Sequence, residues 1–476
     1  MRFGLIFAIC ARMLTGCGIL MLVPALIDFC MGSATSEIFC TASAMTMATG
    51  MLLYILTPKD QDSLYPKEMF LTTTLIWVLY AAFSAMPFYL LPQKLSVADA
   101  FFESISGLTT TGATILDNLE SLSMGTLFWR SMMQWFGGIG IVVVALIVLP
   151  TLRIGGMQLF ATESVILSER ISPTVRKSVR DILIYFVLLT CICGVSLWCA
   201  GMTPFDAVNH ALTTVSTGGF STHDASIAYF HNSTLEWVII VFMLLGGLPL
   251  VLGPNLFHKQ FYAIRNNVQI LTFFKAIVLA VVILGFAYGW HNLRTIIFQV
   301  VAIITTTGFV VSDYTMWGPV AVALFMCLLV CGACTGSTSG GVKMFRFAVV
   351  GRILSLKMKS LVQPHAVFIA RYGNKVINEE VVGSVLFFFG LFFMTVVFSI
   401  LALSFVGLDY MTALSGTLAS VGNVGPALGN VIGPTQNFAG LPDAAKWILS
   451  ADMLLGRLEF TSIVVLFLPF LWRRTA

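Results

Sequence analysis

Four times along this 476-residue chain, a short apolar stretch runs into a small, mostly hydroxylated triplet and then a glycine. The first copy reads VADAFFESISGLTTTGAT and places Thr109, Thr110 and Thr111 before Gly112. The second reads FDAVNHALTTVSTGGF, with Val215, Ser216 and Thr217 before Gly218. The third, LRTIIFQVVAIITTTGF, has Thr305, Thr306 and Thr307 before Gly308. The fourth, LDYMTALSGTLASVGN, has Ala419, Ser420 and Val421 before Gly422. The stretch before each glycine is well short of the roughly 20 residues that a spanning helix needs. Longer apolar runs flank every copy, so each reads as a half-helix that enters the membrane and turns back.

The rest of the chain supplies the membrane. It is 58% hydrophobic and 10% charged, against about 25% charged in a soluble domain. Ten apolar runs are expected to span, near 3–28, 36–57, 68–92, 125–150, 179–201, 235–253, 269–290, 317–334, 381–407 and 445–471. The first is long and carries Arg12, with no small-residue cleavage site, so it reads as a span rather than a signal peptide. The expected fold is therefore all-α and integral to the membrane: ten helices, eight of them in four helix–pore loop–helix units arranged as a pseudo-tetramer. Residues 1–67 hold two helices outside the repeat; the units follow at 68–152, 153–254, 255–345 and 346–476.

Non-helical backbone at membrane depth is tolerated only where it is buried in protein or lines water. Four such strands meeting on an axis give rings of carbonyl oxygens that can replace the hydration shell of a monovalent cation. Glycine permits the backbone angles that aim successive carbonyls inward, and the hydroxylated residues leave the lumen open. The half-helix C-termini add partial negative charge. One such motif is weak evidence; four on the same side are not.

Charge gives the orientation. Lys and Arg concentrate in loops 58–68, 151–180, 254–268 and 343–380 and at Arg2, Arg473 and Arg474, and cytoplasmic loops carry such an excess. Both termini are thus expected in the cytoplasm. The opposite side collects Asp99, Asp117, Glu120, Asp224 and Asp313, a mild field favouring cations. The ten cysteines lie mostly in apolar runs and show no disulfide framework. Cys331 and Cys334 make a CxxC, but no further metal ligands accompany it. No nucleotide motif or zinc-protease signature is visible, nor any intramembrane Ser/His or paired-Asp arrangement, which disfavours a membrane-embedded enzyme. An inverted-repeat transporter is disfavoured because all four units share one orientation.

Two further features stand out. GACTGSTSGG (332–341) breaks a helix at membrane depth; it is either a hinged element or a helix end leaving the membrane before Lys343. Arg457, placed near the middle of the last run, is costly there; it is either a fixed barrier in a pathway or half of an ion pair with Glu459 or Asp452, and residues two apart point to different helix faces, which disfavours Glu459. Glu103 and Asn209, in the half-helices, are candidates to brace the following strands.

The stretches FFESISGLTTTGAT, WRSMMQWFGGIGI (129–141), STGGFSTHDASI (216–227), ITTTGF (304–309), GNVGPALG (422–429) and GRLE (456–459) together resemble the TrkH family. The two extra N-terminal helices fit that branch better than the shorter KtrB subunits. The resemblance covers nearly the whole chain. It implies a homodimeric potassium-uptake subunit of the bacterial inner membrane, one pore per protomer, gated by a cytosolic nucleotide-binding subunit similar to TrkA. By motif it implies a potassium filter at Thr110, Thr111, Gly112, Ser216, Thr217, Gly218, Thr306, Thr307, Gly308, Ser420, Val421 and Gly422. It implies that 332–341 is an intramembrane loop obstructing the pore, swinging on Gly332, Gly336, Gly340 and Gly341, and that Arg457 stands in the pore with it. In related plant-type transporters a serine at the first filter glycine goes with sodium preference, so Gly112 favours potassium. The fourth copy departs from the others at Val421 and Asn423, so strict selectivity is not implied. Whether uptake is passive or a symport stays open, as does a sodium-coupled or sodium-permeable transporter of the same architecture. No organic cofactor is expected in this chain; the basic loops 151–180 and 343–380 are the expected docking surface for the partner.

Overall fold

Two apolar helices, α1 (Phe3–Cys30) and α2 (Thr35–Leu56), lie against each other ahead of the repeats. In the first unit, α3 (Pro66–Ser84) is extended by a turn, α4 (Met86–Tyr89), and followed by α5 (Val97–Leu108) and α6 (Met124–Ile147). The second unit is α7 (Val175–Cys199), α8 (Pro204–Val215) and α9 (Ser233–Gly247). The third is α10 (Val268–Tyr288), α11 (Leu293–Ile304) and α12 (Pro319–Val330). A further helix, α13 (Met344–Val362), and an antiparallel pair, β1 (Arg371–Tyr372) and β2 (Lys375–Val376), precede the fourth unit. That unit is α14 (Glu379–Phe405), α15 (Tyr410–Val421) and α16 (Asp443–Arg457). Two single turns, α17 (Thr461–Val464) and α18 (Pro469–Trp472), come last among the described residues. The computed structural model describes residues 3–57, 65–147, 175–253, 267–373 and 375–472; most of the basic loops 58–68, 151–180 and 254–268 lies outside them.

Six helical stretches among the described residues are long and apolar enough to cross a membrane: Phe3–Cys30, Thr35–Leu56, Glu68–Tyr89, Val179–Cys199, Val268–Tyr288 and Glu379–Phe405. Three of the ten expected spans are shorter than their apolar runs. α9 stops at Gly247 because Leu248 is extended ahead of Pro249, the conformation a residue before proline prefers. α12 stops after 12 residues, where the Gly/Ser/Thr segment begins. α16 stops at Arg457, followed by left-handed backbone at Glu459 and Phe460. Arg457 therefore closes a 15-residue helix instead of sitting in mid-span.

α5, α8, α11 and α15 are each 12 residues long. Side chains start three of them: Ser96 and Asp99 form a reciprocal capping box, Thr203 accepts from Asp206 N, and Asp409 accepts from Thr412 N. All four end alike. Thr110, Thr217, Thr306 and Asn423 take left-handed backbone, with φ of 54°, 52°, 57° and 51°. The next residue's N–H donates back to the helix, from Thr111 to Ser106 O, Gly218 to Thr213 O, Thr307 to Ala302 O and Val424 to Ala419 O, at 2.8–2.9 Å. This is the Schellman closure, made three times with a β-branched residue where glycine is usual, and such strain persists only where surrounding structure imposes it.

Packing makes the series cyclic. α8 packs against α6, α11 against α9, and α15 against α12, each short helix meeting the last helix of the unit before it. α5 packs against α16, the last helix of the fourth unit.

Candidate functional site

Counting from the common helix ends gives a structural register for the four loops. Thr109, Ser216, Thr305 and Gly422 cap the helices, and the left-handed residues follow. Third come Thr111, Gly218, Thr307 and Val424. Fourth come Gly112, Gly219, Gly308 and Gly425, all glycine and all at positive φ, 76° to 98°. The motif-based register is thus offset in two copies. Ser420 and Val421 lie inside α15 and Gly422 is its cap, so the fourth-position glycine there is Gly425. Gly218 is third in its loop and Gly219 fourth. The double glycine and the extra Asn-Val before Gly425 hide this in the sequence.

The fourth-position glycines form a closed circuit. A methyl group on Gly112 would stand 2.2 Å from Gly218 O; on Gly219, 1.7 Å from Thr307 O; on Gly308, 2.0 Å from Val424 O; on Gly425, 2.6 Å from Thr111 O. Each therefore meets the third-position carbonyl of the next loop, and the fourth meets the first. No side chain fits at any of them, on grounds of space as well as φ. All four line one vestibule of about 320 Å³, with Asp117, Asp224, His223 and Asn437 on its walls.

Behind the loops, each short helix holds its own outgoing strand. Glu103 Oε2 accepts from Ile115 N at 2.9 Å and both its oxygens accept from the Thr114 hydroxyl. Arg130 of α6 completes the cluster, donating to Glu103 Oε1 (2.8 Å), Thr114 Oγ1 and Ser221 O, with its guanidinium over the Phe220 ring. His210 Nε2 meets Ser221 Oγ at 3.0 Å, and Gln299 Nε2 donates to Ser312 O at 2.9 Å. Ser415 donates to Leu428 O in the fourth unit. Glu103 thus braces as expected. Asn209 does not: its amide donates to Phe205 O in its own helix. The residue beside it, His210, has the role, and a polar residue five places before the end of the first three half-helices was the available signal.

Beneath the loops lies the segment between α12 and α13. It is a loop closed by a parallel bridge between Cys331 and Val342, with Gly332 N donating to Val342 O (2.9 Å) and Val342 N to Val330 O (3.0 Å). Gly332 and Gly341 stand back to back there, and Gly336 and Gly341 have positive φ. The segment touches the loops directly. Thr217 Oγ1 donates to Thr338 Oγ1 at 3.0 Å, and Gly340 N donates to Thr306 Oγ1 at 2.7 Å. A methyl group on Gly340 would meet Gly422 O at 2.5 Å. Arg457, 2% exposed, donates to Thr338 O (2.7 Å) and to Gly137 O of α6 (3.1 Å). It pairs with neither Asp452 nor Glu459: Asp452 accepts from Ser399, and Glu459 pairs with Arg346 at 2.6 Å. Lys343 Nζ reaches back to Ser339 O and Ser339 Oγ. Lys343, Arg346 and Arg457 are all buried here, with Glu459 as their acidic neighbour.

On the vestibule side, the His223 ring stacks on Tyr229 at 3.6 Å. Its Nδ1 is 3.3 Å from Glu120, and its Nε2 is 3.5 Å from Asp206. Burial disfavours the imidazolium, but the Asp206 and Glu120 carboxylates outweigh it and raise the His223 pKa above its usual 6.5. Asp224 is raised by burial, with the Glu120 and Asp117 carboxylates adding to the effect.

The TrkH family, described as cation transport proteins, matches residues 35–290 and 291–474. The Trk system potassium uptake protein TrkI of Halomonas elongata is 40% identical over 463 residues, 96% of this chain and 94% of that protein. The Trk system potassium uptake protein TrkH of Escherichia coli K12 is 36% identical over 465 residues, 95% of this chain and 96% of that protein. The crystal structure of the potassium transporter TrkH from Vibrio parahaemolyticus superposes with a TM-score of 0.91 at 31% identity, covering 99% of this chain and all of that one.

Proposed function

Given that the chain belongs to the TrkH family of cation transport proteins, we propose that it carries potassium into a bacterial cell through a filter formed by the four loops. The observation that carries this reading is the circuit of fourth-position glycines, each pressed on the next loop's carbonyl and all opening on one acidic-walled vestibule. The arrangement is a pseudo-tetrameric pore folded from one chain, and its carbonyls replace potassium's hydration shell. The filter is Thr110, Thr111 and Gly112; Thr217, Gly218 and Gly219; Thr306, Thr307 and Gly308; Asn423, Val424 and Gly425. This reading places Ser216, Ser420, Val421 and Gly422 at its base.

The 331–343 segment is the gate. It plugs the space under the filter, and Arg457 clamps it there by the Thr338 carbonyl. The buried cations at Lys343, Arg346 and Arg457 oppose passage while it is in place. Gly332, Gly336, Gly340 and Gly341 let it swing. α13 starts where the gate ends and carries Arg346, Arg352, Lys357 and Lys359. It is one part of the basic docking surface within the described residues, and a TrkA-like nucleotide-binding subunit acts through it. The protein works as a homodimer in the bacterial inner membrane with both termini cytoplasmic, so the vestibule faces outward. An inside-negative potential favours entry by about 2.3 kcal/mol per 100 mV, so uptake needs a filter and a gate and no chemistry in this chain, which is not an enzyme. The mixed third position, Thr111, Gly218, Thr307 and Val424, favours as second reading a sodium-permeable transporter of the same build.

The test is rubidium-86 uptake into proteoliposomes holding the purified chain, alone and with the cytosolic partner, competed by potassium, sodium and lithium. Potassium competing well and sodium poorly supports the filter. Equal competition by sodium removes the potassium assignment.

A further inference from the structure

The side chain of Gln134 lies across the second loop. It comes from α6, in the preceding unit, and is fully buried. Nε2 donates to Gly218 O at 2.7 Å, and Oε1 accepts from Phe220 N at 3.0 Å. The one amide thus holds the backbone on both sides of Gly219. The carbonyl it holds is the third-position oxygen that Gly112 approaches. Gln134 is therefore attached to the circuit itself, at the joint between the first and second loops.

The other loops secure this position differently. In the first and third, the Thr111 and Thr307 hydroxyls bond those of Thr109 and Thr305 at 2.7 and 2.9 Å. Thr111 also accepts from Asn423 Nδ2, which ties the fourth loop to the first. In the fourth, Val424 is packed in the apolar core. The second loop has no third-position side chain, and the space where one would be is occupied by Gln134: a methyl group on Gly218 would stand 2.3 Å from Gln134 Oε1. The double glycine thus has two causes. Gly219 belongs to the circuit, and Gly218 makes room for an amide from another helix.

We infer that Gln134 is a positioning residue for ion discrimination, holding the Gly218 carbonyl at the spacing that distinguishes potassium from the smaller sodium ion. This rests on reading the circuit as the filter. A carbonyl free to move inward would fit sodium better, so discrimination is the quantity at stake. Transport of the larger ion is the less sensitive readout.

The experiment compares wild type with Gln134→Leu, similar in size without hydrogen bonds, and Gln134→Glu, which keeps the acceptor for Phe220 N–H and loses the donor to Gly218. Rubidium-86 uptake competed by potassium and by sodium gives the ratio of the two inhibition constants. The expectation is that Leu and Glu variants still take up rubidium while the ratio falls about tenfold, as loss of the Gly218 hydrogen bond, common to both, supports. Potassium-over-sodium thermal stabilisation in detergent gives a second readout for a variant that conducts poorly, and it should shrink in parallel. A folded variant with an unchanged ratio by both readouts overturns the role of Gln134. A wild type that admits sodium as readily as potassium overturns the potassium filter itself, before any variant is scored.

Discussion

Thr217 and Thr338 share a hydrogen bond of 3.0 Å, joining a strained residue of the second loop to the middle of the segment that plugs the space beneath it. Gly340 N makes the matching bond to Thr306 in the third loop. The gate is thus latched to two of the four strained positions, and the same hydroxyls face both elements. Thr217→Val removes one latch and leaves Thr338 its contact with Val215 O. A neutral hydrogen bond contributes about 1 kcal/mol net, so the closed-to-open ratio should fall about fivefold. Partner-independent rubidium flux would rise by that factor. Unchanged flux in folded protein would mean that the latch does not hold the gate.

The loop register makes a sharper claim about glycines. Gly219→Ala combines a φ of 79° with a backbone oxygen 1.7 Å from the new methyl; Gly425→Ala has a φ of 98° and an oxygen at 2.6 Å. Left-handed backbone alone costs an L-residue roughly 1–2 kcal/mol, and the clash adds to it. Both variants should lose ion discrimination and melt lower, Gly219→Ala the more. Gly440→Ala, with nothing near its methyl, should behave as wild type. Equal behaviour of all three would refute the register.

The helical membrane architecture and the four half-helices were legible because bilayer thickness separates spanning from non-spanning apolar runs by length. Loop register was harder, since counting to the first glycine assumes that every helix ends at the same offset from it. α15 runs one turn closer, through Ser420 and Val421. Gln134 gave no local signal, because it serves a loop about 85 residues away. The end of α16 was hidden as well: the apolar run continues past Arg457, but the backbone turns at Glu459 and Phe460.

Arg130 and Glu103 form an ion pair with side chains 2% and 0% exposed. Removing one partner of such a pair strands the other, at a cost of about 3–5 kcal/mol. Arg130→Met should therefore lower the melting temperature sharply. Arg130→Lys should recover little, because one ammonium cannot reach Glu103, Thr114 and Ser221 in the fork geometry of a guanidinium. Full recovery by lysine would show that charge alone matters here.

His223 gives the vestibule a pH dependence of definite sign. Its folded pKa is raised above 6.5, so the folded state binds the proton more tightly than the unfolded chain. The resulting stability is complete below 6.5 and is lost as pH rises through the folded value. The groups facing it are Asp206, Glu120 and His210. Glu120 is lowered from 4.5, Asp206 is held low, and Asp224 is raised from 3.8. Asp206 and Glu120 act mainly at more acid pH, so above 6.5 His223 adds a component of stability that falls with pH. Between about pH 6 and pH 9 the melting temperature of wild type should therefore fall relative to that of His223→Gln. Over the same range, loss of the imidazolium leaves Asp206 and Glu120 uncompensated beside the vestibule, so apparent rubidium affinity should rise in wild type and stay flatter in the variant. Parallel pH profiles for the two proteins would remove His223 as their source.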